Sequence, residues 1–328
     1  MNHSEALPIH VKIVVALDVL PVALTIIGNS MFLVTLLKSR SLHTPSNFLL
    51  GMLCCSDLLV GVVVQPLFLI NTQSTGQCYP FDITSSIYYY CYVICCGCSL
   101  FLASLLSIDR YIAICHPFKY YTIVNIKNYG WIIGVLFLTW TAISATIFLS
   151  MYYLWMGFMI IEILVIVVIL ISYARIYSVL SKVKRTVQNI GVIEGVAASS
   201  LQKQKRERDK TCTIAVILGF LLVSYSVELG RSLAFLLKRK ENCDEFHLTL
   251  IIDIWTDLFV LANSFVNPIV YGVRSNEIRK AALKIFRPQR RSITPAGPEK
   301  SATIANIYKE SHPVNASETS PVRTTCNN

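Results

Sequence analysis

The stretch SLLSIDRYIAICHPFKY, residues 104 to 120, sets an acid and a base side by side, Asp109 and Arg110, where an apolar run ends. An arginine buried at such a position needs a partner, and Asp109 can neutralise it. Released from that carboxylate, Arg110 would offer five N–H donors to a second protein. The pair, with Tyr111 beside it, is therefore predicted to be a two-state element at the cytosolic end of a helix.

Two tyrosines are predicted to flank Arg110 on the cytosolic side. Tyr271 ends the stretch NSFVNPIVY, in which Pro268 follows Asn267 and removes a backbone donor, so the helix should kink there. Tyr173 lies at similar depth in another apolar run. We expect both phenols to exchange hydrogen bonds with Arg110 when the helices rearrange. The alternative is that each is an ordinary aromatic anchor at a membrane interface.

The apolar runs also contain polar side chains at a shared depth, and these are Asp57, Ser99, Asn263, Ser264 and Asn267. An ionisable group in lipid is strongly unfavourable unless it pairs or faces water, which makes Asp57 a functional candidate. One carboxylate with hydroxyls and amides can coordinate a small hard cation, and sodium as an allosteric ion is the only cofactor that this pattern suggests. A hydrogen-bonded packing node without an ion is an equally good interpretation.

Composition places these residues in a membrane protein. Of the 328 residues 54% are hydrophobic and 15% are charged, too little charge to coat a water-soluble globule of this size. A bilayer core about 30 Å thick takes ~20 apolar residues per helix. Seven such runs occur, at residues 11–37, 47–70, 84–112, 129–153, 155–180, 211–237 and 247–272. The predicted fold is an all-α membrane protein, a seven-transmembrane helix bundle over residues 11–272.

The basic residues predict the orientation. Most of the 29 lysines and arginines lie in the loops after spans one, three and five and in the tail after span seven, which the positive-inside rule makes cytoplasmic. Residues 1–10 are then extracellular, with a glycosylation sequon at Asn2, and the predicted location is the plasma membrane. The net charge of +10 would meet anionic membrane lipid, and no basic module indicates nucleic acid.

Three further predictions concern the inner end of the bundle and the outer loops. Residues 273–287 combine apolar and basic side chains at helical spacing, which predicts a short amphipathic eighth helix on the inner membrane surface. The polar tail 288–328 is predicted to be disordered. Cys78 and Cys243 lie in predicted outer loops, where they can form a disulfide or stay free.

These motifs, in this order and spacing, resemble those of the rhodopsin-like (class A) family of G-protein-coupled receptors, up to about Phe286. The matching positions are Gly28 and Asn29, Asp57 within LLGMLCCSDLLVG, the stretch 104–120, Trp140, Tyr173 and NSFVNPIVY. The resemblance implies a receptor for an extracellular ligand that activates a heterotrimeric G protein through Arg110, steadied by Tyr173 and Tyr271. It also implies a sodium site at Asp57 and a tail that meets receptor kinases and arrestin.

The chain departs from that family pattern at several positions. Val223, Ser224 and Ser226 stand where the family carries a Cys-Trp-x-Pro group in span six, Val165 replaces a proline in span five, and Ser85 replaces an outer cysteine. The short second outer loop and the fifth span without proline are similar to the melanocortin, cannabinoid and lysophospholipid branch. The altered span six puts the movement of that span on ligand binding in question.

In a bundle of that family seven residues would converge in the outer half, and these are Tyr88, Tyr92, Glu162, Glu228, Arg231, Asp253 and Asp257. Four acids against one base favour a ligand with a cationic group. The alternative is that these groups pair with one another, for example Arg231 with Glu228, or face a water-filled vestibule. Aminergic members of the family carry an aspartate where Tyr92 stands, so the ordinary monoamine binding mode is not expected.

Three classes of function compete. A ligand-activated receptor is favoured, and the second class is a seven-span protein that has lost coupling and acts as a scaffold or chemosensory accessory protein. The altered span six motivates that alternative. The third class is a transporter or an intramembrane enzyme, but the sequence has no HExxH pair, no Gly-rich phosphate loop and no paired catalytic carboxylates. An enzyme is therefore not expected.

Overall fold

The computed structural model describes residues 3–74, 83–148, 150–190, 197–237 and 243–286. Within these ranges seven helical segments are long and apolar enough to cross a membrane, which confirms the predicted fold class. We call them spans one to seven, and they cover Glu5–Lys38, Pro45–Gln73, Ile83–Cys115, Ile126–Ser144, Trp155–Lys182, Glu207–Leu237 and Phe246–Arg274. The glycosylation at Asn2, the pairing of Cys78 with Cys243 and the disorder of the tail 288–328 fall on positions or side chains outside this description and stay predictions.

The spans are built from α-helices that follow one another along the chain. The helices are α1 (His3–Lys38), α2 (Pro45–Leu59), α3 (Gln65–Ser74), α4 (Ile83–Cys115), α5 (Pro117–Ile123), α6 (Ile126–Ser144), α7 (Met151–Ile190), α8 (Ala197–Leu237), α9 (Cys243–Leu261), α10 (Asn263–Arg274) and α11 (Asn276–Phe286). A π-helical segment, Val60–Val64, joins α2 to α3 inside span two, and 3₁₀ turns lie at Arg40–Leu42 and Ala145–Phe148. Span seven combines α9 and α10.

Helix α1 begins earlier than the hydrophobic pattern indicates. It starts at His3, so most of the segment predicted as a separate N-terminus is helical. Ala6 and Leu7 are buried there, and α1 packs against α9. Packing against a neighbouring helix therefore extends α1 beyond the apolar run, because tertiary contacts supply most of the stability of a helix end.

Span three is the centre of the bundle. In its most apolar stretch 67% of the residues are buried, against 11% in span four, which lies at the periphery. Helix α4 contacts α2, α6, α7 and α8. The side chains of span three therefore face most of the other spans, which explains why the motif at its inner end can act on several of them.

Two glycines permit close contacts between spans. A Cβ atom at Gly97 would lie 2.0 Å from Nε1 of Trp140, so only glycine leaves room for this indole. Trp140 uses that room to donate from Nε1 to the carbonyl of Val93 at 2.9 Å, which ties span four to span three. A Cβ at Gly28 would lie 2.7 Å from Cγ of Pro268, so span one approaches span seven at the proline of α10.

Helix α11 occupies most of the range predicted for the amphipathic eighth helix. The hydroxyl of Ser275 accepts a hydrogen bond from the backbone N–H of Ile278 at 3.4 Å, which satisfies a donor in its first turn. The side chain of Ile278 is buried against the bundle core, and Ala281 packs beside it. One face of α11 therefore anchors on the inner end of the bundle, where it contacts α1 and α10.

Candidate functional site

The inner end of span three contains a closed ion pair. Asp109 accepts from Arg110 at 3.0 Å from Nε and at 2.5 Å from Nη2, and both side chains are buried. Ser46, at the start of α2, donates from Oγ to Asp109 at 2.7 Å and also contacts Nη2 of Arg110. The predicted neutralisation of Arg110 by Asp109 is thus present, and span two reinforces it.

Two tyrosines from the second inner loop and span four complete the shell of Asp109. The phenol of Tyr120 donates to Oδ1 of Asp109 at 2.9 Å, and that of Tyr129 donates to the same oxygen at 3.0 Å. Burial, and next the negative charge of Asp109, raise the pKa of Tyr120 to about 12, so its phenol keeps the proton that it donates. With these donors the buried carboxylate is satisfied on both oxygens, and it holds α2, α5 and α6 together at the base of span three.

A second carboxylate joins Arg110 to span six. Oε2 of Glu207, on α8, lies 3.3 Å from Nη1 of Arg110, while its other oxygen lies 3.1 Å from Nζ of Lys210. Arg110 therefore bridges Asp109 on its own helix and Glu207 on α8. An outward movement of span six therefore has to separate Glu207 from Arg110.

The predicted tyrosine partners of Arg110 do not contact it in this arrangement. Within the described part of the chain, the hydroxyls of Tyr173 and Tyr271 are buried and have no hydrogen-bond partner. Tyr271 packs on Phe32 instead, with ring centroids 4.6 Å apart. Tyr111 is turned away from the switch, since its hydroxyl lies 3.2 Å from Nε2 of His116. The structure is thus a closed state, in which Arg110 is bound by carboxylates.

The polar residues predicted at mid-depth converge on one small cavity. Asn267 donates from Nδ2 to Oδ2 of Asp57 at 2.8 Å. The cavity is lined by Asp57, Ser99, Asn263, Ser264 and Asn267, and its volume is about 20 Å³. That is room for roughly one water molecule. A carboxylate with two hydroxyls beside it is a donor set that suits a small hard cation, so the residues present fit a sodium ion.

The acids predicted in the outer half gather around Arg231. Nε of Arg231 donates to Oε2 of Glu228 at 3.0 Å, and Nη2 contacts the other oxygen. Nη1 lies 3.4 Å from Oδ1 of Asp253, and Nη2 lies 3.9 Å from Oδ1 of Asp257. The phenol of Tyr88 donates to Oδ2 of Asp257 at 2.8 Å. The predicted alternative of mutual pairing therefore applies to these three acids.

The Arg231 cluster is closed on its other side by aromatic rings. The guanidinium carbon of Arg231 lies 4.2 Å from the ring centroid of Trp155 on α7, a cation–π contact. The ring of Tyr89 meets Trp155 edge-on at 5.7 Å. Arg231, Glu228 and Asp257 are all buried, so these charges sit in a dry site where electrostatic interactions are strong.

One family of known proteins matches most of this chain. The family model described as the seven-transmembrane receptor of the rhodopsin family matches residues 28–156 and 144–271. The chain belongs to this family. It is a G-protein-coupled receptor of the rhodopsin family and a multi-pass membrane protein, not an enzyme.

Individual receptors resemble this one, two of them along most of its length. Trace amine-associated receptor 6 of Mus musculus is 26% identical over 293 residues, which are 81% of this chain and 83% of that protein. Trace amine-associated receptor 9 of Mus musculus is 27% identical over 300 residues, covering 80% and 83%. Trace amine-associated receptor 7f of Mus musculus reaches 39% over 100 residues, or 30% of this receptor and 27% of that one. The predicted likeness to the melanocortin, cannabinoid and lysophospholipid branch stays a prediction.

Span six of this receptor is tied to its neighbours by Ser224, which differs from the family pattern, and by Tyr225 next to it. Ser224 donates from Oγ to Oδ1 of Asn263 at 3.3 Å, which links span six to span seven. The phenol of Tyr225, one position further, donates to the carbonyl of Cys96 in span three at 3.1 Å. These bonds hold span six at mid-depth where the tryptophan and proline are replaced.

Sequence reasoning missed several residues of these networks. Ser46, Tyr120 and Tyr129 lie 63, 11 and 20 residues from Asp109 in the sequence, and no spacing rule links them to it. Only Glu207, one of two acids in the basic run KQKRERDK, stands out in the sequence. A buried acid in span one, Asp18, also escaped notice although a charge inside an apolar run is conspicuous. It accepts from Nε2 of Gln65 in span two at 3.0 Å.

Proposed function

We propose that this receptor is activated by a small amine that reaches the outer half of the bundle from the extracellular side. The carrying observation is that Arg231 is shared among Glu228, Asp253 and Asp257, while the buried Glu162 has no hydrogen-bond partner among the described residues. Four acids around one base leave an excess of negative charge for an ammonium group to balance. The names of the related trace amine-associated receptors support the same ligand class.

The amine binds in a manner that does not use span three for its charge. Tyr92 stands at the position where aminergic receptors carry an aspartate, and a phenol is a hydrogen-bonding group without charge at neutral pH. The acids of this receptor lie instead on spans five, six and seven. A ligand bound among them contacts the spans that move during activation.

The signal passes to the cytosol through Arg110. Ligand binding shifts an equilibrium between the closed arrangement and one in which span six has moved outward, separating Glu207 from Arg110. Arg110 then leaves Asp109 and offers its donors to a heterotrimeric G protein, while Tyr173 and Tyr271 steady the open form around Asn267 and Pro268. The hydroxyls of both tyrosines are buried without a hydrogen-bond partner among the described residues, which supports this role, since a new partner would satisfy them.

The remaining proposals concern the surroundings of the receptor. The receptor resides in the plasma membrane with its N-terminus outside and its C-terminus in the cytosol, supported by the basic inner loops. A sodium ion in the cavity at Asp57 stabilises the closed form. Helix α11 contacts membrane lipid, and the tail 288–328 meets receptor kinases and arrestin.

A ligand screen tests the proposal. Cells expressing the receptor with a promiscuous G-protein reporter are treated with a panel of primary amines and with alcohols of the same carbon skeletons. The proposal expects a response to at least one amine and none to its alcohol, because only the amine carries a positive charge. A receptor that answers to neutral compounds and to no amine would contradict it. An epitope at the N-terminus, stained on intact cells, checks the orientation separately.

A further inference from the structure

Glu162 in span five differs from the other acids of the outer half. Its side chain is fully buried, and neither of its carboxylate oxygens has a hydrogen-bond partner among the residues that the structure describes. Glu228, by contrast, is bound on both oxygens by Arg231. An ionised carboxylate buried in this way is strongly unfavourable, so its presence needs an explanation.

The charged groups that act on Glu162 are already engaged. The charges that act on it are those of Glu228 and Arg231, and the Arg231 guanidinium is shared among Glu228, Asp253 and Asp257. The charge of Glu162 also acts on Tyr225, whose hydroxyl donates a hydrogen bond to the carbonyl of Cys96. Satisfying Glu162 with Arg231 or with Tyr225 would break one of these contacts.

A permanent proton on Glu162 does not satisfy the site either. A protonated carboxyl becomes a donor that needs an acceptor, and its second oxygen still needs a donor. In the described ranges neither oxygen has such a neighbour. A group that brings several N–H donors and a positive charge would satisfy both oxygens at once.

We propose that Glu162 is the carboxylate that binds the ammonium group of the ligand, and that it sets the selectivity of this receptor for amines over neutral molecules. The inference rests on the proposed function and adds the residue that recognises the amine. Glu162 is the acid on span five, and the charges of Glu228 and Arg231 on span six act on it. An ammonium held there ties span five to the moving span.

Tyr92 offers a hydrogen-bond partner to any second polar group of the ligand. The phenol of Tyr92 is buried and has no hydrogen-bond partner in the part of the chain that is described. The ring centroids of Tyr92 and Tyr88 lie 5.8 Å apart, and the charges of Glu228 and Asp257 act on the Tyr92 hydroxyl. The aromatic rings of Tyr88 and Tyr92 give the body of the amine an apolar surface, while Glu162 receives its charged end.

Arg231 carries the positive charge that acts on Glu162. This side chain, only 8% exposed, lies over Trp155 and contacts the three acids of the cluster. Arginine has a long flexible stem and can leave one acid for another without unfolding a helix. The guanidinium can therefore redistribute its contacts among Glu228, Asp253 and Asp257 when an ammonium group binds at Glu162.

The test compares Glu162→Gln with the wild-type receptor and with Glu5→Gln, a matched loss of one carboxylate at an exposed position of α1. The probes are straight-chain and arylalkyl primary amines with their matching alcohols, measured with a G-protein reporter at equal surface expression. A hydrogen bond to a charged group contributes enough that its loss should raise the half-maximal amine concentration about 30-fold. Glu5→Gln should leave it unchanged.

Thermal unfolding of the purified receptor gives a readout that does not depend on coupling. A saturating amine should raise the unfolding temperature of wild type and Glu5→Gln but not of Glu162→Gln. Without amine, Glu162→Gln should be at least as stable as wild type, because the substitution removes a buried charge.

The outcomes separate the two proposals. If an amine activates wild type and Glu162→Gln with the same half-maximal concentration, or stabilises both equally, the assignment of Glu162 is overturned while the proposed function stands. If every amine in the panel fails to activate or stabilise wild type, both proposals are overturned. If Glu162→Gln retains surface expression and loses only the amine response, the assignment holds.

Discussion

The substitution Glu207→Gln should raise signalling in the absence of ligand. Glu207 is joined to Arg110 by an ion pair of 3.3 Å, and the two side chains are 31% and 2% exposed. Glutamine keeps the shape and an oxygen acceptor but removes the charge, so only the electrostatic part of this contact between spans three and six is lost. Asp109 continues to hold Arg110, which keeps the receptor folded.

The size of the effect follows from the exposure of the pair. An ion pair with one partly exposed member contributes about 1 kcal/mol, the upper end of the range for surface pairs. A change of ~1 kcal/mol alters a two-state equilibrium about fivefold. If the open form is a minor state of ~1% without ligand, it rises to about 5%, and basal signalling rises by the same factor.

The assay is ligand-free cyclic AMP or calcium signalling at matched surface expression. Asp209→Asn is the control, because it removes one acid from the same turn of α8 but leaves the contact between Glu207 and Arg110 in place. The reasoning predicts a fivefold rise for Glu207→Gln alone. Equal basal signals in wild type and Glu207→Gln, or an equal rise in both variants, would refute the role of this ion pair.

Three further predictions concern the switch, the ion and the packing. Arg110→Ala should lower the maximal response at least tenfold, because it removes the donors offered to the G protein. Surface expression should stay unchanged, because Asp109 keeps the hydroxyl donors of Ser46, Tyr120 and Tyr129. A normal response would show that coupling bypasses Arg110. Asp57→Asn should abolish the sodium dependence of agonist affinity, measured by ligand binding in sodium and in potassium, and a dependence equal to that of wild type would remove the ion from this cavity. Gly97→Ala should destabilise the receptor by about 1–3 kcal/mol through overpacking against Trp140, seen as a lower unfolding temperature. Gly219→Ala, where a Cβ meets open space, is the control, and an equal loss in both would refute the packing argument.

The spans could be predicted because their cause is local. A run of about 20 apolar residues has one stable arrangement in lipid, a helix that satisfies its own backbone. The ion pair of Asp109 and Arg110 was predictable for a similar reason, since the two residues are adjacent and a buried arginine needs a carboxylate. The gathering of Asp57 with Asn267 around one cavity was also predicted.

The partners of these residues could not be predicted in the same way. Ser46, Tyr120 and Tyr129 are ordinary polar and aromatic residues near helix ends, and their hydroxyls meet Asp109 only because three helices converge at the base of span three. Periodicity places a residue on one face of its own helix, but it does not say which side chain of another helix lies opposite. For the same reason the sequence could not predict that the hydroxyls of Tyr173 and Tyr271 would not contact Arg110.

The acids of the outer half show most clearly what the sequence determines and what the tertiary structure determines. The amino-acid sequence by itself determined that four acids and one arginine enter the outer half of a helix bundle in lipid, because such charges stand out against apolar runs. Only the tertiary structure decided that Arg231 binds Glu228, Asp253 and Asp257 and leaves Glu162 without a hydrogen-bond partner among the described residues. A guanidinium has five N–H donors and can contact only the carboxylates close to it. The packing of spans five, six and seven therefore determines which carboxylates Arg231 binds.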